Sequence, residues 1–128
     1  MSSIDRPLSG PALRFSLAEE RARVNDPELL VRNGRNARTL VKEGRLRVTL
    51  VMIAAGGRIA PHQTEGPITV QVVDGAIRFR AAGKEHALAP GDLLVVDAGV
   101  EHAVESDAGG TFLLTVVQPT QSESASTA

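Results

Sequence analysis

Hydrophobic and polar positions alternate along most of the chain after residue 37, and this period of two predicts β-strands. In residues 45–52, for example, Leu46, Val48, Leu50 and Met52 share one face. Further short segments, separated by glycine-containing turns at nearly regular spacing, follow at residues 68–72, 76–80, 85–89, 93–97, 102–106 and 111–118. The turn after the first of these contains Asp74-Gly75, which is typical of a β-hairpin. About eight or nine short strands in this arrangement indicate a sandwich or a closed barrel.

The region before these strands carries helix start and stop signals. Ser16-Leu17-Ala18-Glu19 is a capping box, in which the serine hydroxyl accepts from the Glu19 amide, and it predicts a short helix to about Val24. Asp26-Pro27 then predicts a second helical turn, with Asp26 as N-cap and proline at the first helical position. Asn33-Gly34 ends it.

These patterns divide the chain into three parts. We predict an N-terminal arm with a short helical segment over residues 1–36 and a barrel over residues 37–118. Residues 119–128 are rich in serine, threonine and alanine without apolar periodicity, which predicts a disordered tail.

Composition narrows the chemistry. The 128 residues include no cysteine, so disulfides, thiol catalysis and cysteine-based zinc sites are excluded. With three phenylalanines and no tyrosine or tryptophan, the core is aliphatic and aromatic stacking on single-stranded nucleic acid is disfavoured. Residues 1–10 are polar and the longest apolar stretch, 48–55, is too short to span a bilayer, so we expect a cytoplasmic protein without a membrane partner.

Charge is unevenly distributed although the net charge is −1. Residues 1–58 hold 11 basic and 6 acidic side chains (+5), and residues 59–128 hold 3 and 9 (−6). The basic half contains one cluster: Arg32, Arg35, Arg38, Lys42, Arg45 and Arg47. A nucleic-acid interface is one interpretation; a solvated edge that pairs with the acidic half or a second subunit is the other. Because no helix-turn-helix or other reading motif accompanies the charge, we predict no nucleic-acid partner.

Three histidines are the main candidates for chemistry. We expect His62 and His102 each to stand at the entrance of a strand, and two such positions can converge on one mouth of an antiparallel barrel. His86 lies two residues before Leu88 on the same strand face, where a histidine is more often structural.

Residues 57–75 resemble the first motif of the cupin family, which has a Gly, a His-x-His, a Glu and a closing Gly. Residues 91–106 resemble its second motif, which has a Gly, a Pro-x-Gly and a His, with Asp97 here at the proline position. The resemblance implies an all-β double-stranded β-helix, the jelly-roll cupin barrel, preceded here by the short N-terminal helix. It also implies a divalent metal held by the two motif-one histidines, the glutamate and the motif-two histidine. A homodimer is expected as well, because cupin sheets commonly pair.

The ligand positions of the motif are only half retained. His62 matches the first ligand position and His102 the last. Thr64 stands at the second histidine, and the glutamate position falls on Ile68, or on Thr69 with the longer spacing. Two imidazoles alone hold Zn²⁺, Fe²⁺ or Mn²⁺ weakly, so no cofactor is assigned and a divalent metal needs another donor.

The retained geometry with a depleted ligand set favours a binding module. In this interpretation the barrel receives a small molecule near His62, Thr64, Ile68 and His102. The alternative is a metal-dependent enzyme of the dioxygenase or isomerase type that uses His62 and His102. Glu65, on the same loop as His62, is then the candidate third ligand.

A third interpretation is an interaction protein. It would work through an outer strand face formed by Arg45, Arg47, Arg78 and Arg80.

Overall fold

The structure is a computed structural model that describes residues 6–119. This part of the chain contains two helices and nine strands. The helices are α1 (Leu17–Val24) and α2 (Pro27–Asn33). The strands are β1 (Arg35–Glu43), β2 (Leu46–Ile53), β3 (Arg58–His62), β4 (Ile68–Gly75), β5 (Ile77–Ala81), β6 (Lys84–Leu88), β7 (Leu93–Val96), β8 (His102–Glu105) and β9 (Gly110–Val117).

The strands form two antiparallel sheets that enclose the main core. One sheet has five strands in the order β1-β2-β9-β4-β7, and the other has four in the order β3-β8-β5-β6. Between them lie aliphatic side chains such as Ile53, Ile68 and Val104, with Phe79 and Phe112 as the largest members. The predicted all-β jelly-roll barrel with a short N-terminal helix is confirmed.

Both helices begin and end where the sequence signals predict. Ser16 Oγ accepts from the amide of Glu19 at 3.3 Å. Asp26 caps α2, and Gly34 ends it in the left-handed region with φ 77°. Among the described residues, no helix is long and apolar enough to cross a membrane.

The helical segment packs on the outer face of the five-stranded sheet. Val24 of α1 joins Leu40 and Leu50 in a second, smaller core. Strand β2 is therefore covered on both sides, because Leu50 faces the helices while Val51 and Ile53 belong to the barrel core. The alternation predicted over residues 45–52 is correct, and both of its faces are apolar enough to be buried.

A buried carboxylate fastens α1 to the sheet. Glu20 accepts from Arg23 at 2.5 Å and from Arg38 of β1 at 2.6 Å. Asn36 adds a hydrogen bond from its amide to the main-chain oxygen of Val24 at 2.9 Å. Every charge of this group has a partner within the N-terminal half of the chain.

The arm before α1 runs along β1. The amide of Lys42 donates to the main-chain oxygen of Leu8 at 2.8 Å, and the amide of Gly10 donates to Glu43 Oε1 at 3.2 Å. Of the predicted tail over residues 119–128, all but residue 119 lies outside the described residues.

The predicted hairpin at Asp74-Gly75 is wrong. Strand β4, which ends there, pairs with β7 and β9, whereas β5 pairs with β6 and β8 in the other sheet. The chain therefore turns a corner between the sheets. Gly75 is required at this corner because its φ is 73° and an added Cβ would lie 2.3 Å from the main-chain oxygen of Gly109. The sequence signal identified a tight turn and misassigned which strands it joins.

The predicted placement of His62 at a strand entrance is also wrong, because His62 is the last residue of β3. Pro61 obscured this strand in the sequence, since proline cannot donate to a β-ladder. It is accommodated because β3 is an edge strand and its pairing with β8 is irregular between Ile59 and His62. His102 does begin a strand, as expected.

The four arginines proposed for one outer face lie in different places. Arg47 belongs to β2 in the five-stranded sheet, and Arg45 lies in the turn before it. Arg78 and Arg80 lie on β5 in the other sheet.

Candidate functional site

His62 and His102 meet where β3 ends and β8 begins. They are register partners in the antiparallel pair, and their Nε2 atoms lie 3.0 Å apart. The ring centroids are 4.2 Å apart with an interplanar angle of 69°, an edge-on arrangement. Residues 40 positions apart in the sequence thus direct the same ring atom at one point.

Backbone carbonyls fix the orientation of both rings. His62 Nδ1 lies 2.9 Å from the main-chain oxygen of Ala60, and His102 Nδ1 lies 3.0 Å from that of Val100. A carbonyl oxygen only accepts, so we assign the hydrogen of each neutral ring to Nδ1, which donates it to the carbonyl. In the neutral form of each ring, Nε2 is consequently the unprotonated nitrogen and an acceptor.

The two rings differ in exposure. His102 is buried, with 4% of its surface accessible, and stacks on Phe79 at a centroid distance of 5.6 Å. His62 is exposed. Burial lowers the pKa of His102; the Val100 carbonyl acts in the opposite direction, and the charge of protonated His62 lowers it again. The pair therefore combines the buried imidazole of His102, for which burial favours the neutral form, with the solvent-exposed imidazole of His62.

The neutral pair lacks a hydrogen-bond donor. With both Nδ1 hydrogens given to carbonyls, two Nε2 lone pairs face each other across 3.0 Å. Two facing acceptors repel unless a donor joins them. A shared proton would join the two nitrogens at this distance, and a hydroxyl or ammonium group would supply the donor by approaching from the side of the pair.

Thr64 and Ile68, the other two predicted site residues, have structural partners. Thr64 Oγ1 donates to the main-chain oxygen of Gly66 at 2.9 Å, and the Thr64 main-chain oxygen accepts from Gly99 at 2.9 Å. The loop after His62 is thereby tied to the loop before His102. Ile68 is fully buried in the barrel core.

The donors present do not fit the metal site that the cupin motif implies. Glu65, the candidate third ligand, is exposed on the loop between β3 and β4. Among residues 6–119, no three His, Cys, Asp or Glu side chains come together in a way that could hold a metal ion. Catalytic zinc sites use three protein ligands and structural ones four, so two imidazoles fall short of both. The hydroxyl of Thr64 is already donating, and Ile68 has no donor atom.

The third histidine belongs elsewhere. His86 is half-buried on β6, opposite Phe79 of β5, on the same side of the strand as Leu88, as the sequence predicted. Strand β5 separates it from His102 in the sheet order.

Sequence reasoning missed the groups that orient the pair. The carbonyls of Ala60 and Val100 are main-chain atoms, so the residue types at these positions do not indicate their role. Phe79 was recognised as apolar and alternating, but only the pairing of β5 with β8 places it under His102.

The fold is shared with many solved structures. A conserved protein, SPY1581, from Streptococcus pyogenes superposes with a TM-score of 0.71 and 23% identity, covering 92% of this chain and 98% of that one. An RmlC-like cupin from Shewanella frigidimarina gives 0.65 and 20%, covering 71% and 82%. The salicylate 1,2-dioxygenase from Pseudoaminobacter salicylatoxidans gives 0.72 and 19%, covering 80% of this chain and 32% of that one. At these identities the likeness establishes the fold alone.

The sequence itself identifies the family. No curated protein matches the chain. The family model for the cupin domain matches residues 49–117, which is more than half of the chain and contains both histidines of the pair. With its two motifs, its two-sheet barrel and this match, the chain belongs to the cupin family.

Proposed function

We propose that this cupin domain is a small-molecule-binding module in which the His62–His102 pair is the polar recognition element. The observation that carries the proposal is the convergence of the two Nε2 atoms at 3.0 Å while both Nδ1 atoms are held by carbonyls. An arrangement that only packed the two rings would not need both acceptors directed at one point.

The tautomers define the class of ligand. Both Nε2 atoms accept, so the ligand must contribute a donor, and a hydroxyl group is the neutral choice. A protonated amine would also donate, but it would compete with the charge that the pair itself takes up when it is protonated. We therefore expect a small hydroxylated molecule with an apolar part.

The surroundings of the pair support a mixed ligand. His102 rests on Phe79, and the neighbouring core, which includes Ile68, is apolar. A few directed polar groups beside apolar surface are the usual form of a small-molecule site. Thr64, tied to Gly99, is proposed to form the rim where the two motif loops meet.

A thermal-shift screen with matched compounds tests this function. Monosaccharides, phenols and hydroxy acids are compared with the same carbon skeletons lacking the hydroxyl. A ligand at 100 times its Kd should add about 2.7 kcal/mol to the free energy of unfolding. We expect stabilisation only by hydroxylated compounds, with loss of the effect in His62→Ala and His102→Gln.

His86→Ala is the control, since it removes a histidine from the barrel but not from the pair. If no hydroxylated compound stabilises the protein, or if His62→Ala responds as the native protein does, the proposal fails.

The alternative function is a metal-dependent enzyme of the dioxygenase or isomerase type. Elemental analysis distinguishes it from the binding module. The binding-module proposal expects far less than one metal ion per chain after purification without chelator or histidine tag. Near-stoichiometric iron, manganese, nickel or zinc that disappears in His62→Ala would favour the enzyme, with Glu65 as the third ligand to test next.

A further inference from the structure

The outer surface of the four-stranded sheet carries a concave, charged region distinct from the histidine pair. Alternation along the strands directs Phe79 and Val104 into the barrel, so their neighbours face outward. The concavity measures about 540 Å³. We call it the arginine face, and its charged lining residues are Arg35, Arg58, Arg78, Arg80, Glu85 and Glu105. Arg35 reaches it from the start of β1, where its Nη1 donates to the main-chain oxygen of Arg58 at 3.3 Å.

Strand register gathers the guanidinium groups around shared carboxylates. Glu105 lies opposite both Arg58 and Arg78, with nitrogen–oxygen distances of 3.4 Å and 3.3 Å. Arg80 pairs with Glu85 at 3.4 Å. These contacts are long for charge-assisted hydrogen bonds, which are normally below about 3 Å. The guanidinium donors of the arginine face are therefore only partly used.

Positive charge is in excess at this surface. Four guanidinium groups face two carboxylates in the lining, and adding Asp107, which pairs with Arg78 at 2.7 Å, still leaves one positive charge uncompensated. The chain as a whole has a net charge of −1, so the excess is local. The side chains of Arg58 and Arg80 are 80% and 65% exposed, so a ligand can displace their present partners at little cost.

Small apolar groups complete the lining. Ala60, Pro61 and Ala103 lie among the arginines. The concavity thus has guanidinium groups around a small apolar patch. Its volume is in the range of small-molecule pockets.

We propose that the arginine face binds a small organic dianion, a molecule with two oxyanion groups on a short carbon skeleton. Guanidinium groups bind carboxylates and phosphates in a bidentate manner, and a cluster of them suits two such groups at once. Glu105, placed between Arg58 and Arg78, marks the position that one oxyanion would take over. This site lies on the side of β3 and β8 opposite to the histidine pair and does not depend on the function proposed for that pair.

Calorimetric titration of the full chain with succinate and with glutarate tests the proposal. The matched neutral probes are succinamide and glutaramide. At low ionic strength we expect saturable binding of at least one anion, with a Kd on the order of 1 mM, and none of the neutral probes. In amide-resolved NMR spectra the bound anion should shift the signals of Ala60 and Ala103.

Arg58→Gln with Arg80→Gln is the diagnostic double variant, because both side chains are exposed and their loss leaves the core intact. It should weaken anion binding about tenfold or more. Arg32→Gln, which removes another exposed arginine that pairs with Glu28 on α2, should change the affinity less than about twofold.

Three results would overturn the proposal. The first is that neither anion binds, and the second is that succinamide binds as well as succinate. The third is that Arg32→Gln weakens binding as much as the double variant, which would indicate general charge attraction. Duplex DNA that binds through Arg58 and Arg80 while both small anions fail would assign the surface to nucleic acid instead.

Discussion

Two polar clusters of this molecule, both partly buried, differ in whether their polar groups have partners within the protein. Under α1, Glu20 pairs with Arg23 and Arg38 at 2.5 Å and 2.6 Å, so each charged side chain has a partner of opposite sign. Where β3 ends and β8 begins, His62 and His102 direct two acceptors at each other. The first cluster is complete without any other molecule, whereas the second lacks a donor. The difference separates a cluster that holds the fold from one that we propose is available for binding.

The largest expected effect comes from removing the matched carboxylate. Glu20→Gln leaves Arg38, whose side chain is only 24% exposed, without its counter-charge. We expect the free energy of unfolding to fall by about 3 kcal/mol, the low end for a broken buried pair because Arg23 reaches solvent. Urea unfolding measures it.

Glu28→Gln on α2 is the control for that experiment. It removes an exposed partner of Arg32 and should cost less than about 0.5 kcal/mol. Equal losses in the two variants would contradict the structural role of the Glu20 cluster.

The histidine pair should respond asymmetrically to truncation. His102→Ala opens space against Phe79 and should lower the free energy of unfolding by about 2 kcal/mol. His62→Ala removes an exposed ring and one of two facing acceptors, so its effect should stay within about 0.5 kcal/mol. A loss in His62→Ala as large as in His102→Ala would mean that the pair is structural, like the Glu20 cluster.

A smaller effect concerns pH. The pKa of His102 is lowered in the folded state, mainly by burial, so between that lowered value and 6.5 the unfolded chain binds the extra proton. Stability therefore rises with pH through this window; the contribution of His102 is unfavourable below the window and vanishes above 6.5.

The unfolding free energy of the native protein measured across this window should fall on acidification more than that of His102→Gln. Parallel pH profiles would show that burial of His102 does not affect its titration.

How far the sequence predicts each feature depends on what determines it. Local signals are sufficient for α1 and α2, since capping by Ser16 and Asp26 acts within three residues. The Asp74-Gly75 turn was recognised, but its partners depend on the approach of Gly109, which immediately precedes β9. Strand β3 was missed because its tolerance of Pro61 depends on an edge position that only the complete sheet defines.

In the site, too, sequence patterns predict some features, whereas others depend on contacts that only the fold creates. Motif spacing pointed to His62 and His102 as a pair, and the register of β3 with β8 brings them together. The direction in which the rings point depends on two main-chain carbonyls, which no residue pattern encodes. The arginine face was predicted only in part: Arg78 and Arg80 were expected on an outer strand face, but Arg35 arrives there from a different sheet.

The tautomeric state of the pair distinguishes a binding site from a pair that satisfies its own hydrogen bonds. Long-range ¹H–¹⁵N NMR spectra of the histidine rings, recorded above the ordinary histidine pKa of about 6.5, report which nitrogen of each ring carries hydrogen. We expect His62 and His102 both to be protonated at Nδ1, with Nε2 free on each, and a bound hydroxylated ligand to shift both Nε2 signals. A hydrogen on Nε2 of either ring at that pH would mean that the pair satisfies itself, and would contradict a site that needs a donor from a ligand.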